Sequence, residues 1–169
     1  MAFHPLDGAG NSRVPPVAEL LAIDLGLRAG IALYSGNGRL MTYRSTNFGS
    51  VSRLKRAVPG IVGTSVKILV TEGDSRLAHI WEQYATRRGL ICERVAPHSW
   101  RTQMYNLSEM RQKGHWKETA DKYARRIIEW SKLSSPSSLR HDAAEAICLG
   151  MCAAINHGWL EQFPKDIYR

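Results

Sequence analysis

Four acidic residues in this 169-residue chain stand where carboxylates are costly to keep: Asp24, Glu72, Asp142 and Glu145. Asp24 lies within the apolar run Leu20-Leu21-Ala22-Ile23-Asp24-Leu25-Gly26, and Glu72 ends a second run, Ile68-Leu69-Val70-Thr71-Glu72. Asp142 and Glu145 are three apart in His141-Asp142-Ala143-Ala144-Glu145-Ala146. That spacing is about one helical turn, so both face the same way. A carboxylate in a hydrophobic strand loses hydration that something cationic must replace, and divalent ions are one such compensation. Magnesium takes oxygen ligands, and two ions about 4 Å apart can activate a water and stabilise a leaving oxygen in phosphodiester hydrolysis. In that chemistry Asp24, on a rigid central strand, would bridge two Mg2+ ions, with Mn2+ able to substitute. Glu72 would complete one site, and Asp142 and Glu145 the other. Each acid also has a plainer reading: a strand end for Asp24, a loop for Glu72-Gly73-Asp74, a solvated helix face for Asp142 and Glu145. Their joint order, with a suitable element under each, favours the site.

The elements that would position these residues are legible from periodicity. Strands are expected over 19–25, 30–35 and 39–46, the last two joined by the hairpin turn Gly36-Asn37-Gly38, so the three form an antiparallel meander. A helix from Val51 to Ala57 should stop near Pro59-Gly60. Val66 to Thr71 is a continuous apolar run, the pattern of a central strand covered on both faces. A helix from Ser75 to Arg88 carries the stripe Leu77, Ile80, Trp81 and Tyr84 and ends at Gly89. Then come a strand over 90–95, a short helix from Ser99 to Tyr105, a polar loop over 108–114 and a helix from Trp116 to Trp130. The linker 134–138 leads to a last helix, Leu139 to Asn156, and an irregular tail. This order predicts an α/β fold with a mixed sheet, three antiparallel strands followed by parallel ones, flanked by helices. The boundaries read as a flexible, Pro- and Gly-containing lead-in over 1–17, one domain over 18–157 and a tail over 158–169.

Ala22-Ile23-Asp24-Leu25-Gly26 followed by Gly30-Ile31-Ala32-Leu33 resembles the opening hairpin of the RuvC-type Holliday junction resolvases, of the ribonuclease H-like superfamily. Val70-Thr71-Glu72 resembles their second acidic motif, and Asp142-Ala143-Ala144-Glu145-Ala146 their closing helix. Val95-Ala96-Pro97-His98-Ser99-Trp100-Arg101 and Gly114-His115-Trp116-Lys117 resemble the segment that carries DNA-contacting basic residues. The resemblance spans about residues 19–157 and implies a homodimeric, metal-dependent endonuclease that cleaves four-way junctions to 5′-phosphate and 3′-hydroxyl ends. It implies Asp24, Glu72, Asp142 and Glu145 as catalytic metal ligands, and phosphate contacts from Arg101 and Lys117; the basic stripe around them adds Arg111 and Lys113 as candidate nucleic-acid contacts. Glu145 stands where many relatives have Asp, and His141 leaves two candidates, His141 or Asp142, for one ligand position. After the second acid, Gly73-Asp74-Ser75-Arg76 lacks the aromatic wedge of well-known relatives; the next aromatic is Trp81. Two alternatives therefore stay open: a nuclease of RNA–DNA hybrids or general branched DNA, and a nucleic-acid-binding protein of the same fold without catalysis. Actin-like ATPases open with a similar first motif but need two such domains.

The bulk properties agree with a nucleic-acid partner. Net charge is +8, with 44% apolar and 22% charged residues, as in a globular protein with an appetite for polyanions. Residues 101–132 hold eight basic and four acidic residues, half the total excess in about a fifth of the chain. Such a stripe neutralises phosphates, or is simply a solvated face with ordinary ion pairs. Trp100, Tyr105 and Trp116 are interleaved with it, to stack on unpaired bases or to pack in the core. The stripe of Leu77, Ile80, Trp81 and Tyr84 is a candidate dimer face or a core face. Cys92, Cys148 and Cys152 lack disulfide spacing and read as thiols in a reducing compartment. With no signal peptide and no run of 18 apolar residues, the expected location is cytoplasmic, on the nucleoid in a bacterium or phage, or an organelle matrix.

Overall fold

A computed structural model describes residues 19–169; the lead-in expected over 1–17 lies outside the described residues. The strands are β1 (Glu19–Leu25), β2 (Arg28–Ser35), β3 (Leu40–Asn47), β4 (Val66–Gly73) and β5 (Ile91–Arg94). The helices are α1 (Val51–Val62), α2 (Ser75–Arg88), α3 (Pro97–Met104), α4 (Leu107–Arg111), α5 (Trp116–Trp130) and α6 (His141–Asn156). The sheet order is β3-β2-β1-β4-β5, antiparallel among the first three and parallel from β1 through β4 to β5. This is the mixed sheet the sequence predicts.

Strand alternation builds two cores. Leu20, Ala22, Ile68 and Val70 face α3, α5 and α6, whereas Leu21, Ile23, Leu25 and Leu69 face α1 and α2. Helix α6 is apolar nearly all round and buried continuously from Ala143 to Ala154, as a central helix should be. Its small residues allow it to lie close on the sheet. A Cβ at Gly150 would come within 2.3 Å of the Tyr34 ring, whose hydroxyl donates to the Ile147 carbonyl at 2.6 Å. Among the described residues no helix is long and apolar enough to cross a membrane.

Three elements differ from expectation. Helix α1 passes through Pro59 to Val62 instead of stopping near Pro59-Gly60. Proline forfeits one backbone hydrogen bond, but Leu54, Val58 and Val62 bury one face on both sides of it and hold the helix together. The polar loop expected over 108–114 contains α4 and a 3-10 turn, Lys113–His115. Asn106 and Glu109 form a reciprocal capping box that nucleates α4, too short a helix to show periodicity. The tail carries a 3-10 turn, Lys165–Tyr168, with Ile167 buried against the first core.

Helix α2 closes as expected at Gly89, in the left-handed conformation, and Asp74 caps its first turn. Its stripe, however, is a core face and not a dimer face. Leu77, Ile80 and Trp81 are buried in the second core and half-buried Tyr84 packs beside them.

Candidate active site

One lateral row of residues crosses four strands. In the strand register Asp24 is opposite Glu72 on β4 and Gly30 on β2, and Gly30 is opposite Ser45 on β3. Row partners point to the same face of a sheet, here the face covered by α6. Gly30 has no side chain where the α6 backbone arrives: a Cβ there would lie 1.8 Å from the Asp142 carbonyl oxygen. The first turn of α6 thus rests on the row and brings Asp142 and Glu145 to the strand acids. Gly73, at φ +103, makes the adjoining turn, with Asp24 Oδ1 3.1 Å from the position a Cβ would take.

Asp24, Glu72 and Glu145 form a cluster, each offering one carboxylate oxygen within 4.8 Å of the others. Asp142 stands beside that cluster. Its Oδ2 accepts from the Ser45 hydroxyl at 2.6 Å and its Oδ1 from the Ala143 amide at 2.9 Å. Arg140 lies 3.9 Å from Asp142. His141 flanks Glu145, with Nε2 3.5 Å from Oε2.

Burial, then repulsion from Glu145, Glu72 and Asp142, pushes the Asp24 carboxyl up to about 8. Burial and repulsion from Glu145 push Glu72 up to about 7, opposed by Arg101 and by a hydrogen bond from the Trp100 indole. The site holds more negative charge than its surroundings neutralise. Its donors are hard carboxylate oxygens with no thiolate among them, the ligand chemistry of Mg2+ or Mn2+. The residues present therefore fit divalent ions.

Arg101 is the one cation inside the cluster among the described residues. Its Nη2 is 2.6 Å from Glu145 Oε1 and 3.7 Å from Glu72 Oε1, and its guanidinium lies 5.1 Å and 4.9 Å from the centres of the Trp100 and Trp116 rings. Arg111, Lys113 and Lys117, the other basic residues singled out from sequence, are exposed on the segment running from α4 into α5. Farther along α5 the basic stripe is partly spent internally, since Lys122 pairs with Glu109 and Arg125 with Asp121. Trp100 and Tyr105 are core residues, edge to face at 5.6 Å, which leaves only half-buried Trp116 near the site's rim.

Sequence reasoning missed Ser45, the Trp100 donor and the place of Arg101 among the acids. Ser45 carries no local signal, because only the β2–β3 register sets it beside Asp142. Gly30 was visible as the glycine that opens the strand expected over 30–35, but its role needs the position of α6.

By sequence, the chain matches no protein-family model and no curated protein. By structure it matches T. thermophilus RuvC, solved in complex with a Holliday junction substrate, with a TM-score of 0.58. The match covers 83% of this chain and 95% of that one, at 13% sequence identity. The fold is RuvC-like. At so low an identity the shared feature is architecture: the RuvC-like sheet brings the β1 and β4 acids and the first turn of α6 to one place.

Proposed function

We propose that this protein is a metal-dependent, structure-selective DNA endonuclease of the RuvC kind. The observation that carries this reading is the convergence of Asp24, Glu72 and Glu145 within 4.8 Å on a RuvC-like fold. Asp24, Glu72 and Glu145 are the inner ligands. Asp142, held by Ser45, is poised beside Asp24 to complete the second of two ion positions. Bound Mg2+ or Mn2+ would supply an activated water and neutralise charge on the scissile phosphate. The chain's own residues hold and orient: the sheet fixes Asp24 and Glu72, the Trp100 indole restrains Glu72, and Ser45 restrains Asp142. Exposed Arg111, Lys113 and Lys117 grip phosphates beside the site, which makes binding strongly salt-dependent. The solved RuvC complex holds a Holliday junction, which supports branched DNA as substrate here; paired cuts on such a substrate would need two copies of this chain.

Cleavage of a labelled four-way junction in Mg2+ tests the reading. Asp24→Asn should lower the rate more than about 100-fold, beyond what loss of an outer-shell partner costs, while junction binding in Ca2+ survives. Retained cleavage in the variant sinks the assignment.

The segment after Glu72 favours a broader substrate range as a second reading. Gly73 turns the chain directly into α2, with Asp74 spent as its cap and Arg76 exposed, so no aromatic wedge follows the second acid. Parallel assays on a four-way junction, a fork and an RNA–DNA hybrid separate junction selectivity from general branched-DNA or hybrid cleavage. Absence of Mg2+-dependent cleavage on all three would indicate a binding protein.

A further inference from the structure

Arg101 pairs with two of the three carboxylates that would hold a metal ion. Its Nη2 engages Glu145 Oε1 at 2.6 Å and approaches Glu72 Oε1 at 3.7 Å, and these two residues belong to the three-carboxylate cluster. A guanidinium and a divalent ion cannot both hold those oxygens at close range. The arginine is also incompletely satisfied where it is. Its Nε and the Trp116 indole Nε1 are both buried with no acceptor among the described residues, and the Trp116 ring lies 4.9 Å from the guanidinium. Two unpaired donors side by side, at the edge of an acidic cluster and next to exposed Lys117, make a place for an anionic oxygen. The side chain is 11% exposed, so it is not fully sealed from solvent. The Trp100 and Trp116 rings flank the guanidinium.

We propose that Arg101 exchanges between the carboxylates of Glu145 and Glu72 and a phosphate of bound DNA, so that cation loading and substrate binding are coupled through this one side chain. The proposal rests on the nuclease reading above. Without an ion, Arg101 stays on the acids and compensates them; an ion at the acids and a phosphodiester at the guanidinium together draw it off. Linkage makes the effect reciprocal: an ion at the acids frees Arg101 for phosphate.

The test uses the full chain and two readouts other than turnover. Mn2+ affinity of the DNA-free protein, read from the electron paramagnetic resonance of free Mn2+, should tighten about tenfold in Arg101→Gln, a typical coupling magnitude. Salt dependence of four-way-junction binding is then measured by anisotropy in Ca2+ and in EDTA. Arg101→Gln should lower the slope of log K against log salt by about 1 in Ca2+, the loss of one phosphate contact, and leave it unchanged in EDTA. Arg101→Met, which keeps an apolar stem between the two tryptophans, repeats both measurements should the glutamine variant fail to fold. Equal Mn2+ affinity in wild type and variants overturns the proposal, as does a slope change of the same size in Ca2+ and EDTA. If folded wild type and variants all fail to bind Mn2+, the metal-dependent reading itself falls.

Discussion

Gly30 and Asp142, 112 positions apart in sequence, meet so closely that a Cβ on Gly30 would lie 1.8 Å from the Asp142 carbonyl oxygen. The obstacle is helix backbone and not a flexible side-chain tip, so it cannot step aside. Gly30→Ala should force α6 off the sheet at the end where Asp142 and Glu145 project. Overpacking of a well-filled core typically costs about 1–3 kcal/mol, and more is expected against backbone. Urea unfolding should show that loss, together with weakened Mn2+ binding. A variant with wild-type stability and metal affinity would refute the close approach.

The metal-free protein should lose stability as pH rises from about 5 to about 8. Asp24 and Glu72 have ordinary values of 3.8 and 4.5 but are pushed to about 8 and about 7 in the folded chain. Between those limits the folded state holds protons that the unfolded state has released, so raising pH favours unfolding. Thermal melts in EDTA across this window should show a falling midpoint. Asp24→Asn should flatten the trend, and a midpoint that climbs with pH in wild type would count against it.

Trp100→Phe keeps a ring in the core but removes the N–H that Glu72 accepts. That hydrogen bond favours the ionised carboxylate, so Glu72 should be held higher without it. Metal binding requires the deprotonated acid; the pH at which Mn2+ binding sets in should therefore move upward. Loss of a buried hydrogen bond to a charged group should also cost about 1–3 kcal/mol. An unchanged pH threshold would show that Trp100 serves packing alone.

Trp81→Ala distinguishes a core stripe from a docking stripe. Trp81 is buried beneath α2 with Leu77 and Ile80. Its truncation should destabilise the chain by about 3–5 kcal/mol without altering its sedimentation at permissive temperature. Dissociation of an oligomer with stability unchanged would restore the interface reading.

Much of the architecture was legible because strand and helix periods reflect burial that each segment carries in its own composition. The β1–β2–β3 meander and the caps of α2 follow from residues within a few positions of each other. Where a tertiary contact outvoted a local signal, the sequence misled: Val58 and Val62, docked on the second core, carry α1 through Pro59. The same applies to the stripe on α2, whose residue types suit a partner or a core equally well.

The four acids stood out in the sequence, since carboxylates in or beside apolar runs demand a compensating charge wherever they come to lie. Their arrangement was decided by the fold. Strand register set Asp24 opposite Glu72 and Ser45 in the same row, and a side-chain-free position at Gly30 let α6 deliver Glu145 into the cluster and leave Asp142 beside it. Arg101 stood out in the sequence only as one of several basic residues, and the packing of α3 against α6 placed it among the acids. Local chemistry states which charges need partners; long-range geometry chooses the partner.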